Sequence, residues 1–199
     1  YNATVLDTNN DGTQEEEDEI CADLPYIKKT KNGPSISPQK PDRSYDITYT
    51  VEVKNLGGAA GSYDLVDTPT FDDDITINTA AYSFTSDAIP ASGGGSLSTI
   101  NGASNTLAND VTILAGEKKT YTLSYNVKLD LSSTSTGDNI YTACGSGTPG
   151  DPIPGEGLYN ATALYLNDDN LPEQRDEVCG DLPYITHDKS GPVLSAQLP

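Results

Sequence analysis

The sequence contains no methionine and no tryptophan, only two phenylalanines, and a single histidine, His187. Apolar bulk must therefore come from Val, Ile, Leu and twelve tyrosines, a mixture that suits half-buried strands better than a helical bundle. With one histidine, any Ser-His-Asp or Cys-His set would depend on His187 alone. Tryptophan's absence removes a common platform for sugars, although an acidic chain still offers carboxylate pairs of the glycosidase kind. Cations are scarce: 11 Lys and Arg face 30 Asp and Glu, for a net charge of −19. Such a surface repels nucleic acid and anionic membranes, both of which bind through Lys and Arg. No apolar run approaches the ~20 residues needed to span a bilayer. Three cysteines without a C-x-x-C, beside one histidine, make zinc a poor expectation. The glycine-rich "GGGS" at 93–96 opens no helix and is not a phosphate loop. The expectation is a protein that is not an enzyme.

What is present repeats. "YNATVLDTNNDGTQEEEDEICADLPYIKKTKNGPSISPQKP" at 1–41 aligns without a gap on "YNATALYLNDDNLPEQRDEVCGDLPYITHDKSGPVLSAQLP" at 159–199, an offset of 158 with 22 of 41 positions identical. The chain therefore reads as one full period plus an overlap. Residues 1–20 are expected to be the closing strands of a preceding unit, 21–178 one unit, and 179–199 the opening strand of the next. A start at Tyr1, inside a strand-like segment, reads as a processed or partial piece of something longer. His187 aligns with Lys29, which argues against catalysis there.

Within the period, alternation at spacing two dominates. Tyr45, Ile47, Tyr49, Val51 and Val53 share one face of "RSYDITYTVEVKN"; Tyr121, Leu123, Tyr125, Val127 and Leu129 share one face of "KKTYTLSYNVKLDL". Shorter strands are expected at 24–30, 61–67, 73–79, 81–86, 110–115, 139–145 and 157–166. "NLGGAAG", "PASGGG", "LAGEK" and "SGTPGDPIPGEG" read as turns or loops. No amphipathic helix is evident. Many short strands between such turns predict an all-β, two-sheet antiparallel sandwich.

The same residues resemble a known family. "ADLPYIKKTKNG" (22–33), "YTVEVKNLG" (49–57), "LVDTPTF" (65–71), "LAGEKKTYTLSYNV" (114–127) and "YNATAL" (159–164) are similar, in order and spacing, to motifs of the immunoglobulin-like tandem repeat domain of prokaryotic surface proteins. "LVDTPTF" lacks the leucine that the family places before Pro69, and the closing strand matches imperfectly. The resemblance covers nearly the whole period. It implies an Ig-like β-sandwich and no catalytic activity.

Cys21 and Cys179 are repeat equivalents, so the period holds two cysteines. Cys144 can pair with Cys179 or with Cys21; both loops would gain about 4 kcal/mol from closure, so energy does not decide. The shorter pairing, Cys144 with Cys179, is preferred. A disulfide implies an oxidising, extracellular compartment.

"DTNNDGTQEEED" at 7–18 has the spacing of an EF-hand calcium loop without flanking helices. Asp7, Asn9 and Asp11 occupy positions one, three and five, Gly12 the turn, Thr13 a carbonyl position, Glu15 position nine and Asp18 position twelve. The copy "YLNDDNLPEQRD" (165–176) keeps Asn167, Asp169, Glu173 and Asp176 but has Tyr165 first, so Asp168 would have to substitute. Asn170 stands where Gly12 stood and tolerates a left-handed backbone. Asp72, Asp73 and Asp74, with Asp67 before them, form a further acidic run. Against each site stands the plainer reading of a solvated acidic turn. "NAT" at 2–4 and 160–162 fits an N-glycosylation acceptor but also reads as a strand. A lysine amine condensed onto an Asn or Asp side chain would be another covalent brace; Lys28, Lys29 and Lys54 are available, and nothing in the sequence selects one.

Two functions follow. The first is a structural extracellular protein: calcium-stabilised Ig-like repeats forming a stalk or filament, with neighbouring copies of itself as partners, either covalently in tandem or by strand exchange. The second is an adhesin or ligand-binding module at the cell surface, using the Gly- and Ser-rich segment 87–110 as its binding loop.

Overall fold

The computed structural model describes residues 2–6, 16–20, 22–88, 91–132, 137, 140–142, 144, 153–167, 169–184, 189 and 191. Among these there is no helix, and so none long and apolar enough to cross a membrane. The strands are β1 (Asn2–Leu6), β2 (Glu16–Ile20), β3 (Ile27–Ile36), β4 (Ser44–Asn55), β5 (Gly61–Pro69), β6 (Ile75–Ser86), β7 (Ser92–Ser96), β8 (Asn105–Ile113), β9 (Lys118–Leu129), β10 (Asn160–Tyr165) and β11 (Gln174–Val178). They form a five-stranded sheet ordered β3-β4-β9-β6-β7, a four-stranded sheet ordered β11-β10-β5-β8, and a separate hairpin β1-β2, all antiparallel. The two larger sheets pack face to face as a β-sandwich.

Alternation explains the central pair. The odd-numbered residues of β4 from Tyr45 to Val53, and those of β9 from Tyr121 to Val127, are all buried. They meet Tyr63 and Leu65 of β5, Leu107 and Ile113 of β8, and Leu164 of β10 in one core. Tyrosine supplies the aromatic bulk that Trp and Met would elsewhere, and its hydroxyls need partners when buried. Tyr63 OH lies 2.7 Å from Tyr121 OH, and Tyr49 OH donates to the Leu158 carbonyl at 2.7 Å. At the open side β11 clips onto β3: Gln174 Nε2 donates to the Ile27 carbonyl, and its Oε1 accepts from Lys29 N–H, both at 2.8 Å.

The asparagine and glycine of "VKNLG" have a structural reason. Asn55 is fully buried; its Oδ1 accepts from Tyr26 N–H and Gly57 N–H, and its Nδ2 donates to the Ala59 carbonyl. That clamp draws residues 23–26 across the turn so closely that a Cβ on Gly57 would stand 2.1 Å from the Leu24 carbonyl oxygen.

Several expected boundaries move. The segments 73–79 and 81–86 are one strand, β6, with an irregularity between Ile77 and Thr79 where it pairs with β9. β8 starts five residues before the expected 110. No strand is assigned to the described residues of 139–145. Most informative is "PASGGG", expected as a turn, whose residues from Ser92 onward lie in edge strand β7. Gly93 and Gly95 lie opposite Phe84 and Tyr82 of β6. A Cβ on Gly93 would meet Phe84 Cε1 at 2.6 Å, and one on Gly95 would meet the Tyr82 ring at 3.1 Å. The rings cover the glycines, which is why residues of poor strand propensity pair here.

Candidate functional site

β3 carries the least expected feature. Its inward face reads Ile27, Lys29, Lys31, so two lysines point where apolar residues should be. Each finds a carboxylate from the four-stranded sheet. Lys31 Nζ lies 2.8 Å from Asp67 Oδ1 on β5, with both side chains fully buried. Lys29 Nζ lies 2.7 Å from Asp176 Oδ2 on β11, which is partly exposed. A buried charge is tolerated when paired and hydrogen-bonded, and Asp67 is saturated. Its Oδ1 also accepts from Thr162 Oγ1 at 3.1 Å; its Oδ2 accepts from Tyr125 OH at 2.6 Å and from Asn160 Nδ2 at 3.2 Å. Lys31 Nζ also stands 5.3 Å from the centre of the Tyr49 ring. Burial pulls the amine of Lys31 below the ordinary lysine range, against the opposing pull of Asp67. The same cause lowers Lys29, opposed by Asp176. Asp67 and Asn160 also hold Tyr125 and the closing strand together, so the cluster joins β3, β5, β9 and β10.

Composition hides this cluster, because Lys and Asp are read as outward residues. Two signals exist. Lys29 and Lys31 fall in step with Ile27, and the repeat retains Lys31 as Lys189, Asn160 as Asn2 and Thr162 as Thr4. Of the lysines available for a covalent brace, Lys28 and Lys54 are exposed and Lys29 is taken by Asp176. Asn160 is fully buried, so the "NAT" at 160–162 is a strand motif and not a glycan acceptor in the folded protein.

The acidic loops fare unequally. Asp7, Asn9, Asp11, Thr13, Glu15, Asp168 and His187 lie outside the described residues, and Asp18 lies in β2 opposite Thr4. The loop between β10 and β11 is held by its own polar groups. Asp169 Oδ1 accepts from Leu171 N–H at 2.8 Å, and Glu173 Oε2 accepts from Leu166 N–H at 2.7 Å. Asn170 takes φ 60°, the left-handed backbone its position demands. Asn167 lines an open polar groove on the outer face of β5, β8 and β10, with Asp64, Thr106 and Tyr165. Asp176 turns inward to Lys29, whose positive charge already neutralises it. Among the described residues, Asp169, Glu173 and Asp176 do not form one group of closely spaced carboxylates. By contrast the carboxylates of Asp72, Asp73 and Asp74 lie within 4.8 Å of one another, two of them buried.

Cys144 and Cys179 are bonded, with Cα atoms 5.8 Å apart, so the shorter of the two pairings is the one formed. The bridge ties the segment before the closing strand to the end of β11. Cys21, outside the described residues, has no cysteine left in this chain to pair with.

Comparison of the chain with models of known protein families, with curated proteins and with solved structures found no match.

Proposed function

We propose that this chain is a structural module of an extracellular tandem array, built from Ig-like β-sandwich units braced by disulfides and stabilised by calcium. One observation carries the reading. The hairpin β1-β2 pairs Asn2 with Ile20 and Leu6 with Glu16; β10-β11 pairs Asn160 with Val178 and Leu164 with Gln174. The offset is 158 throughout. In the sandwich, β10 docks on β5 and so joins its hairpin to the four-stranded sheet, whereas β1-β2 is a sheet of two strands only. The hairpin is a closing element whose own sandwich is another copy of the unit. The motif resemblance described above and the disulfide agree with an extracellular setting. Among the described residues, Asp72, Asp73 and Asp74 are the closely spaced carboxylates, and hard oxygen ligands at such spacing suit calcium.

The adhesin reading has less support. Of its binding segment 87–110, Ser92–Ser96 and Asn105–Asp110 lie in sheet strands, which leaves 97–104 as the longest described stretch outside a strand.

The test uses the whole chain. Melting in calcium should lie above melting in excess chelator, because a ligand bound only to the folded state stabilises it by mass action. Sedimentation at rising concentration should show self-association that is lost when Thr4→Pro removes a pairing N–H from β1. A chain that melts identically in chelator loses the calcium part of the proposal. One that stays monomeric at every concentration loses strand exchange and leaves covalent tandem linkage.

A further inference from the structure

The buried cluster holds a primary amine, a carboxylate and a carboxamide in a row. Lys31 Nζ is 2.8 Å from one oxygen of Asp67, and Asn160 Nδ2 is 3.2 Å from the other. Lys31 belongs to the opening strand of the five-stranded sheet, Asn160 to β10 in the opposing sheet. A purely structural ion pair would need Lys31, Asp67 and their polar neighbours, and Thr162 and Tyr125 already supply those. Asn160 adds one further, longer hydrogen bond to Asp67 at 3.2 Å, and does so at a cost. Asn160 Oδ1 is buried and has no hydrogen-bond partner among the described residues, a condition that native interiors rarely tolerate. A carboxamide oxygen left idle beside a desolvated amine is a poor structural element; turning the carboxamide over would bring Oδ1 to Asp67, whose proton, once taken from Lys31, can polarise the carbonyl for attack.

We infer that Lys31 and Asn160 form an intramolecular isopeptide bond, with Asp67 carrying the protons. The ammonium of Lys31 gives one proton to Asp67. The neutral Nζ attacks Asn160 Cγ, and the Nζ–Cγ bond forms. The nitrogen sheds a second proton to the departing Nδ2 as the Cγ–Nδ2 bond breaks. Ammonia leaves, takes the proton held by Asp67, and the carboxylate is restored. One ammonium enters and one ammonium ion departs, so charge balances and no oxidant, reductant or cofactor is needed. Three features of the site assist. Burial favours the uncharged amine over the ammonium. Placement of both reactants on one carboxylate turns a bimolecular step into an intramolecular one. The surrounding Tyr49, Tyr125 and Thr162 keep out water that would compete as nucleophile. The repeat places Lys189 and Asn2 at the equivalent positions, so the same bond is available to each copy. The inference stands apart from calcium and from assembly, because it concerns one sandwich alone.

The experiment is the intact mass of the purified full chain, measured after reduction of the disulfide. The wild-type chain should be lighter than its sequence by one ammonia, and proteolysis should yield a branched peptide containing both Lys31 and Asn160. Asn160→Ala and Lys31→Arg should each restore the full sequence mass, and Asp67→Ala should leave the chain uncrosslinked. Because a variant at so buried a site can fail to fold, the wild-type mass and the branched peptide together decide. A wild-type chain with native circular dichroism and full sequence mass overturns the proposal. So does a deficit of one water mapped to Lys31 and Asp67, which would be a different bond. An ammonia deficit that persists in Asn160→Ala would place the loss elsewhere and overturn it too.

Discussion

Tyr125 of β9 donates its hydroxyl proton to Asp67 of β5 across the sandwich, over 2.6 Å. Among the described residues it is the hydrogen bond to that carboxylate from β9, the central strand of the five-stranded sheet, and it ends a chain of polar groups running from β3 through the core. A hydrogen bond onto a buried charge is worth about 1.5–3 kcal/mol. Tyr125→Phe keeps the ring and removes the donor. The expected result is a urea midpoint lowered by a stability loss of that order, with the slope of the transition unchanged. An unchanged midpoint would mean that a solvent molecule replaces the hydroxyl at no cost.

Alkali should unfold this protein in a recognisable way. Burial raises the phenols of Tyr49, Tyr63, Tyr121 and Tyr125 above the ordinary value of 10.0. Above pH 10 the unfolded chain sheds these protons while the folded one keeps them, so unfolding is favoured as pH rises. The tyrosinate absorbance should therefore appear in two stages: exposed phenols first, then a cooperative step that coincides with loss of the far-ultraviolet β signal. A single smooth titration of all twelve tyrosines near pH 10 would contradict the buried arrangement.

Glu117 sets an acid-side prediction. It closes the turn between β8 and β9, where Leu114 N–H donates to its Oε2 at 2.7 Å and Ser86 Oγ to its Oε1 at 2.6 Å. Burial alone would raise its carboxyl, but the hydrogen bonds from Ser86 and Leu114 together with Lys119 outweigh burial and hold it below the ordinary value of 4.5. A depressed folded value means that the contribution is complete above pH 4.5 and disappears as pH falls through the folded value. Glu117→Gln should be less stable than wild type at neutral pH, and the gap should narrow below pH 4.5. Melting curves across about pH 3–7, a range that spans the ordinary carboxylate pKa values, would show it.

The Cys144–Cys179 bridge closes a loop of 35 residues. The chain-entropy estimate for such a loop is about 4 kcal/mol. Reduction, or Cys179→Ser, should lower stability by up to that amount. Thiol titration of the denatured, non-reduced chain should find one thiol, from Cys21, or none if Cys21 is joined to another molecule. Electrophoresis without reductant distinguishes the two, because a chain joined through Cys21 migrates at twice its mass.

Alternation was readable for β4 and β9 because the inward residues from Tyr45 to Val53 and from Tyr121 to Val127 are apolar and those between them are polar. It was misleading for β3, where Lys29 and Lys31 occupy the inward face and their partners, Asp67 and Asp176, lie far away along the chain. A charge at an inward position is legible only once its counter-charge is known, and strand pairing supplies that information. Glycine misled for a related reason. Gly93 and Gly95 look like turn residues, but they are matched to Phe84 and Tyr82 through cross-strand register, which local sequence does not contain. The backbone demand at Asn170, by contrast, belongs to its own turn and was legible, whereas the cysteine pairing was a preference for the shorter loop that loop-closure energy left open.

The identical register of the two hairpins has a metric consequence. In a β-strand, a shift of one residue turns every side chain to the opposite face. A copy of β1-β2 docked as β10-β11 docks can therefore seat in only one phase: Asn2 and Thr4 must take the inward places of Asn160 and Thr162. Any assembly made this way would lengthen in whole units, each step fixed by one sandwich, with no sliding intermediate lengths.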